Sequence, residues 1–343
     1  MLKRIRKPKT PPNTLLRRQI HNFKQRKTAY YSLIVLMFLV VFSVGAEFVA
    51  NSNPYFVAYK SELYFPMLVN YKSAEFHAEG FTPDFRKICK NEEVTCLFPP
   101  VKYGPLEIVQ DVSHYPAPPS LDHPMGLDAL GRDTFARLLY GSRVSFSYAV
   151  GVWLLAFSVG TVIGSCMGFF GGWFDITFYR LMEVFFAVPY LVVLITLVSV
   201  FTPNLALLVG ISALFSWGSI TRYMRSEFLR IRKQDFVASA RAAGCSTRQI
   251  IFRHVLPNAI TPLITFSPFF ISHSVLGLSS LDFLGLGVPP PTPSWGELLR
   301  QGKEYFLSAW YLALFPAAAL FCTLALINFV GEGVRDAFDP RRY

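Results

Sequence analysis

The chain has 343 residues, of which 52% are hydrophobic, 16% aromatic and only 16% charged. Soluble domains carry roughly a quarter charged residues, so the long apolar runs place this chain in the membrane class. Its net charge of +11 would point to nucleic acid on a soluble domain, but the distribution of that charge assigns it to a membrane surface and leaves nucleic acid no role.

The first element is a basic tail, 1–28, with Lys3, Arg4, Arg6, Lys7, Lys9, Arg17, Arg18, Lys24, Arg26 and Lys27 and no acid. Positive residues mark the cytoplasmic side, where anionic lipids hold such a tail. Six spans follow at 29–50, 145–170, 177–201, 204–221, 258–280 and 309–331, each near the ~20 residues that cross a bilayer. The first, "AYYSLIVLMFLVVFSVGAEFVA", is too long for a signal-peptide core and lacks the usual small-residue cleavage site, so it reads as a retained anchor. The fourth is short. Six crossings return the C-terminus, 337–343, to the cytoplasm. Counted with the inner span ends, where Arg180 and Glu183 lie, the cytoplasmic segments hold 22 Lys/Arg against 7 Asp/Glu, and the other side with the outer span ends 11 against 15.

Residues 51–143 form one large external segment rich in Tyr, Phe and Pro. Its prolines argue for irregular structure over regular strands. Cys89 and Cys96 lie there, seven positions apart. On an oxidising side they pair and contribute about 2–3 kcal/mol; the alternative is two free buried thiols. Cys166, Cys245 and Cys322 are scattered in or beside the membrane, and no Cys/His cluster has metal spacing. The second external loop, 281–306, contains Pro289, Pro290 and Pro291, which impose a stiff extended turn.

Within the spans, Gly160, Gly164, Gly168 and Gly172 recur every four residues and line one helix face with no side chains, as close helix packing requires. Pro189, Pro262, Pro268 and Pro316 mark expected kinks. Glu183, one turn after Arg180 at the inner end of the third span, reads as a local ion pair, with a substrate-binding charge as the alternative.

Between the fourth and fifth spans lies "DFVASARAAGCSTRQIIFRHVLPNAI", 235–260, too polar to cross a bilayer. Asp235 favours a helix start. Phe236, Ala240 and Ala243 fall on one face. Gly244 stops the helix as a left-handed residue. Ser246 and Gln249 form a capping box that starts a second helix. Ile251, Val255 and Leu256 give that helix an apolar stripe, and Pro257 marks its end. Two short helices at an angle under the membrane are expected. A surface-lying amphipathic element and a docking knob inserted into a cytoplasmic partner both fit these residues.

"ARAAG…HVLPN" resembles the EAA loop of the permease subunits of bacterial ABC importers. "HPMGLDALGRDTFARLLYGSRVS" (123–145) is similar to the sequence before the second span in the C-type permeases of dipeptide and oligopeptide importers. "SSLDFLGLGVPPPTPSWGELL" and "RDAFDPR" are similar to the same branch, so the likeness covers about 120–340 plus the tail and first span. The external "NSNPYFVAY…LYFPMLVNY" resembles the microcin C permease branch. The resemblance implies an all-α membrane protein of the type I importer permease fold. Its first helix is followed by an irregular periplasmic insert, and 144–336 is the transmembrane domain with a coupling loop at 230–258. It also implies a multi-pass protein of the bacterial inner membrane.

In that family the loop docks on ATPase subunits, which assigns Asp235, Ala240, Gly244, Ser246, His254, Pro257 and Asn258 to coupling. Two positions depart from the family pattern. Ala238-Ser239-Ala240 stands where relatives have Glu-Ala-Ala, so a carboxylate is missing. Gly126-Leu127-Asp128 replaces the commoner Gly-Thr-Asp, which keeps Asp128 but removes a hydroxyl.

The chain contains no G-x-x-x-x-G-K-[ST] phosphate loop and no nucleophile–base constellation. No catalytic residue, metal or cofactor of its own is expected. ATP and Mg belong to two partner ATPase subunits. A homologous second permease and a periplasmic substrate-binding protein complete the expected assembly, which moves peptides or peptide-like compounds by alternating access. The rival reading, an ion-coupled transporter or channel, would show charged residues deep in the spans or paired broken helices.

Overall fold

The computed structural model describes residues 15–60, 62–76, 83–90, 94–110, 112 and 114–339; the tail cations Lys3–Lys9 and residues 340–343 lie outside them. An amphipathic helix, α1 (Leu15–Gln25), leads into the apolar α2 (Lys27–Val44). A single 3-10 turn, Ala46–Phe48, then opens the insert.

The insert contains β1 (Phe56–Tyr59), β2 (Glu62–Tyr64), α3 (Phe85–Ile88) and β3 (Thr95–Leu97). The strands form an antiparallel sheet in the order β2-β1-β3, with Val57 opposite both Tyr64 and Cys96. The proline argument had favoured irregular structure here. The prolines instead flank the strands: Pro54 precedes β1, Pro66 follows β2, and Pro99 and Pro100 follow β3. No ladder N–H is lost where they stand. Val57, Phe76, Phe85 and Val94 form the core of this unit under Tyr59, Tyr64 and Tyr71. Outside the sheet, the insert is largely non-repetitive.

Cys89, just after α3, is joined to Cys96 in β3, with Cα atoms 6.0 Å apart. Cys89→Ser with Cys96→Ser should therefore cost this unit about 2–3 kcal/mol. Limited proteolysis within 51–143 should accelerate while the spans stay protected. An unchanged cleavage rate would remove the disulfide's structural role.

The helical body follows: α4 (Thr134–Phe170), α5 (Gly172–Phe186), α6 (Tyr190–Val200), α7 (Leu205–Ile231), α8 (Asp235–Ala242), α9 (Thr247–Gln249), α10 (Leu256–Phe283), α11 (Trp295–Glu304) and α12 (Tyr311–Phe338). Among the described residues, five helical segments are long and apolar enough to cross a membrane. They become six when α5 and α6, bent by 63° at their junction, count as one broken span. Several helices overrun their apolar windows. The fourth span, expected at 204–221, is the 27-residue α7, ~40 Å long at 1.5 Å per residue against a ~30 Å hydrocarbon core. Of the four expected kinks, only Pro189 separates two helices, as the N-cap of α6. Pro262 and Pro268 lie inside α10, and Pro316 inside α12.

Helices α4 and α7 run parallel in close contact, because α5 and α6 carry the chain back between them. A Cβ on Gly160 would lie 2.6 Å from Ile220 Cβ. On Gly164 it would lie 2.5 Å from Thr221 O, and on Gly168 2.5 Å from Phe228 Cβ. Gly172 does not belong to this seam. The chain turns at Gly171 (φ +66°), so Gly172 (φ +57°) starts α5, and a Cβ there would meet nothing within 4 Å. The four-residue repeat outlasts the helix that gives it meaning.

The segment joining α1 to α2 meets the last helix, α12. Arg26, between α1 and α2, donates to Glu332 Oε2 at 2.6 Å and to the Asp336 carboxylate on α12, so α1 and the end of α12 share one side of the membrane. At the far end of α2, Arg143 grips the Glu47 carboxylate at 2.7 and 2.8 Å. These bonds hold the Glu47 carboxyl below its ordinary pKa. They tie the first span to α4.

Candidate functional site

The bend between α7 and α10 is built by local signals. Helix α8 ends in a Schellman arrangement. Gly244 N–H donates to Arg241 O at 3.0 Å and Cys245 N–H to Ala240 O at 3.1 Å, with Gly244 at φ +81°. Ser246 then accepts from Gln249 N–H at 3.3 Å, while Gln249 Oε1 accepts from Ser246 N–H at 2.9 Å. This is a complete capping box.

Two features differ from the sequence-based expectation. The second helix does not stop at Pro257. From α9 the chain passes through π-helical turns at Ile250–Val255 and continues directly as α10. Pro257 sits in the first turn of α10, where a missing N–H costs least. The wider turns before it make room for the proline ring, which would otherwise meet the carbonyl four residues back. The buried face of α8 is also rotated. Val237 and Ala240 point inward, whereas Phe236 (39% exposed) and Ala243 are exposed. Val237 wins because it joins Phe228, Ile231, Ile250 and Val255 in one core. That core bonds the short helix to α7 below it and α10 beside it.

Asp235, Gly244, Ser246, Pro257 and Asn258 are exposed, and His254 is half-buried. Asn258 Nδ2 donates to His254 O at 2.7 Å. The bend thus brings Ala240, Gly244 and Ser246 to one corner, and His254, Pro257 and Asn258 to the adjoining helix turn.

The opposite side of the membrane holds a buried ion cluster of which the sequence reading singled out only Asp128. Asp128 Oδ1 accepts from the N–H groups of Leu130 and Arg132, each at 2.9 Å, and its Oδ2 accepts from Arg132 Nε at 2.8 Å. Arg137, fully buried in the first turn of α4, donates to Glu297 Oε2 of α11 at 2.7 Å. It also donates to Pro105 O at 3.1 Å and Pro291 O at 3.4 Å. Asp133 caps α4 through Ala136 N–H and holds His123 Nδ1, both at 2.8 Å. Arg137 and Glu297 are 160 residues apart in sequence. The only signal available beforehand was the density of charge in "HPMGLDALGRDTFAR" beside a span. With its carboxylates and guanidiniums paired, the cluster clamps the insert, α4 and α11 together. Among the described residues, no group of three His, Cys, Asp or Glu side chains could hold a metal ion.

Comparison with known proteins agrees with this architecture. Residues 160–342 match the family "binding-protein-dependent transport system inner membrane component". Residues 14–70 match the "N-terminal TM domain of oligopeptide transport permease C". The chain is 35% identical to the peptidoglycan transport system permease protein YejE of Agrobacterium fabrum, over 98% of this chain and 96% of that protein. It is 38% identical to the inner membrane ABC transporter permease protein YejE of Escherichia coli K12, over 93% and 95%. It is 37% identical to the glutathione transport system permease protein GsiD of Escherichia coli O157:H7, over 65% and 74%. The multi-span body and the matched residues together show that this chain belongs to the family of binding-protein-dependent transport system inner membrane components, the permeases of ABC transporters.

Proposed function

We propose that this chain is the transmembrane permease subunit of an ATP-driven importer for peptides or peptide-like compounds. A homologous second permease completes the pathway. Two ATPase subunits bind ATP and Mg and dock on 235–258, and a periplasmic binding protein delivers substrate to the 51–143 and 281–306 surfaces. The chain itself performs no catalysis. The Lys/Arg distribution supports an orientation with both termini and the α8 bend in the cytoplasm and the insert with the Arg137 cluster in the periplasm. "NSNPYFVAY…LYFPMLVNY" supports a substrate range near that of the microcin C permease branch. The names of the relatives, peptidoglycan and glutathione permeases, favour peptide-like cargo.

One observation carries the coupling role. Helix α8 exposes Phe236, and Gly244 just after it is exposed too, while Val237 locks α8 into a core shared with α7 and α10. A push on α8 therefore moves two spans as a unit. The rival ion-coupled reading expects paired broken helices; among the described residues there is one bent span.

Gly244→Val tests the reading. A Cβ at Gly244 would meet nothing within 4 Å, so the whole effect comes from forcing a β-branched residue to φ +81°, about 1–2 kcal/mol or more of backbone strain. The expected result is normal membrane insertion, reduced association with the ATPase subunits and loss of substrate-stimulated ATP hydrolysis. His254→Ala should be milder, since it leaves the backbone intact. Full transport and full ATPase association in Gly244→Val would reduce the bend to a passive surface element.

A further inference from the structure

The junction of α5 and α6 is a break in the backbone near the middle of the bilayer. Phe186 packs against Gly218, and Tyr190 Oη lies 2.9 Å from Ser212 Oγ. Gly218 stands midway along α7. At the break the helical ladder fails. Pro189 offers no N–H to the carbonyl of Phe185, and among the described residues Val188 N–H has no backbone partner. Pro189 supplies no side-chain cap to α6; its carbonyl accepts from Val192 N–H at 3.1 Å and Val193 N–H at 3.4 Å, and among the described residues the N–H groups of Tyr190 and Leu191 have no backbone partner. Ala187, Val188 and Pro189 are all exposed in this chain. Unpaired backbone of this kind is not tolerated against lipid; it persists only against protein or water.

A second, independent observation also argues against lipid on this face. Arg180 and Glu183 form an ion pair of 2.6 Å whose side chains are 75% and 47% exposed. Their depth can be placed. The third span, read from the sequence as 177–201, sets the inner end, and Asp175, bonded to Arg225 at 2.6 Å, lies just outside it. Arg180 and Glu183 then lie ~5 and ~9 Å inside that end along α5. An arginine at that depth facing lipid would extend toward the boundary. Arg180 turns inward to Glu183 instead. Arg180, Glu183 and Ala187 occupy one helical face at i, i+3 and i+7, so the exposed charges and the open backbone look the same way.

We infer that this face of α5, continued through the break at Ala187–Pro189, is the water-filled wall of the translocation path. The unpaired backbone groups there hydrogen-bond the main-chain amides of an extended peptide. Recognition through backbone groups carries affinity without reading side chains, as an added strand does at a sheet edge. Phe186 and Tyr190, set against α7, flank the opening and offer apolar surface to whatever side chains pass. The inference rests on the peptide-permease reading and names the part of the chain that meets cargo.

The test uses the assembled transporter, with this chain and its partner permease and ATPase subunits, in membrane vesicles. Cys166, Cys245 and Cys322 are first replaced by Ser. Val188→Cys is compared with Met37→Cys, which is 56% exposed in this chain on the unbroken helix α2. A charged, membrane-impermeant methanethiosulfonate should modify Cys at 188 at least about tenfold faster than at 37, since only the break faces water. A casein peptide digest should slow that modification, and the same digest with its backbone amides N-methylated should not. Equal, slow modification at both positions in a complex that still takes up casein peptides would overturn the inference and leave the permease reading intact. Fast modification with equal protection by both digests would overturn the backbone-recognition step. A fully assembled complex that takes up none of the peptides would instead count against the proposed function. Gly218→Ala gives a second readout. It displaces the Phe186 ring from its seat and should lower peptide uptake several-fold without changing subunit assembly.

Discussion

Arg137→Ala should lower the stability of the folded chain by about 3–5 kcal/mol, the cost of removing one partner from a buried ion pair. Arg137 is fully buried and Glu297 is 5% exposed, so water cannot replace the lost guanidinium. The substitution strips Glu297 of its 2.7 Å partner and leaves the carbonyls of Pro105 and Pro291 without a donor. Asp128 keeps Arg132, so the damage should concentrate where α4, the 105 region and α11 meet. Thermal unfolding in lipid nanodiscs should show a lower midpoint, and proteolysis should open the insert and the 281–306 loop together. Arg137→Lys should recover only part of the loss, because an ammonium cannot reach Glu297 and two carbonyls in the geometry of a guanidinium fork. Arg137→Ala combined with Glu297→Ala should cost less than the sum of the two single changes, since no charge is then left buried alone. An unchanged midpoint for Arg137→Ala would mean that the cluster does not clamp these elements.

Gly164→Val should have the next largest effect. Its Cβ would lie 2.5 Å from Thr221 O, 2.8 Å from Met224 Cβ and 3.1 Å from Arg225 N. Two of these neighbours are backbone atoms, so no rotamer change relieves the contact. Helices α4 and α7 must separate. Separation strains the 3.3 Å bond from Thr221 Oγ1 to Gly160 O and loosens the cluster of Met224, Phe228 and Ile231. In a bilayer no hydrophobic force restores a helix pair once its close fit is lost, because lipid tails are as apolar as the side chains. Overpacking of this kind costs about 3 kcal/mol, the upper end of its usual range. The expected result is a large drop in folded protein recovered from membranes. Gly277→Ala, where a Cβ would meet nothing within 4 Å, should be recovered normally. Equal recovery of Gly164→Val would show that the seam tolerates a gap.

The candidate site was legible in unequal parts. Gly244 and the Ser246–Gln249 pair follow from hydrogen bonds made within six residues, so sequence spacing alone located them. The orientation of α8 did not follow. Phe236 and Val237 are both apolar neighbours on a short helix, and local pattern does not say which turns inward. The core of Phe228, Ile231, Ile250 and Val255 decides for Val237. Pro257 misled for a related reason. Proline forbids a regular α-helical turn before it, but a π-helical stretch satisfies the same restriction and lets α10 continue.

By itself the sequence determined what depends on composition and near neighbours. The apolar windows locate the spans because burying peptide groups in hydrocarbon requires ~20-residue helices. The Lys/Arg bias proposes their orientation, and the motif order indicates the permease family. Only the tertiary structure decided what depends on which surfaces meet. It removed Gly172 from the packing seam, because the chain reverses at Gly171. It made strands of 56–59, 62–64 and 95–97, because β3 supplies the second edge of β1 only after a detour of more than thirty residues. It brought Arg137 to Glu297 across 160 residues. Buried charges must find partners wherever the fold carries them, and no local spacing encodes an encounter at that distance.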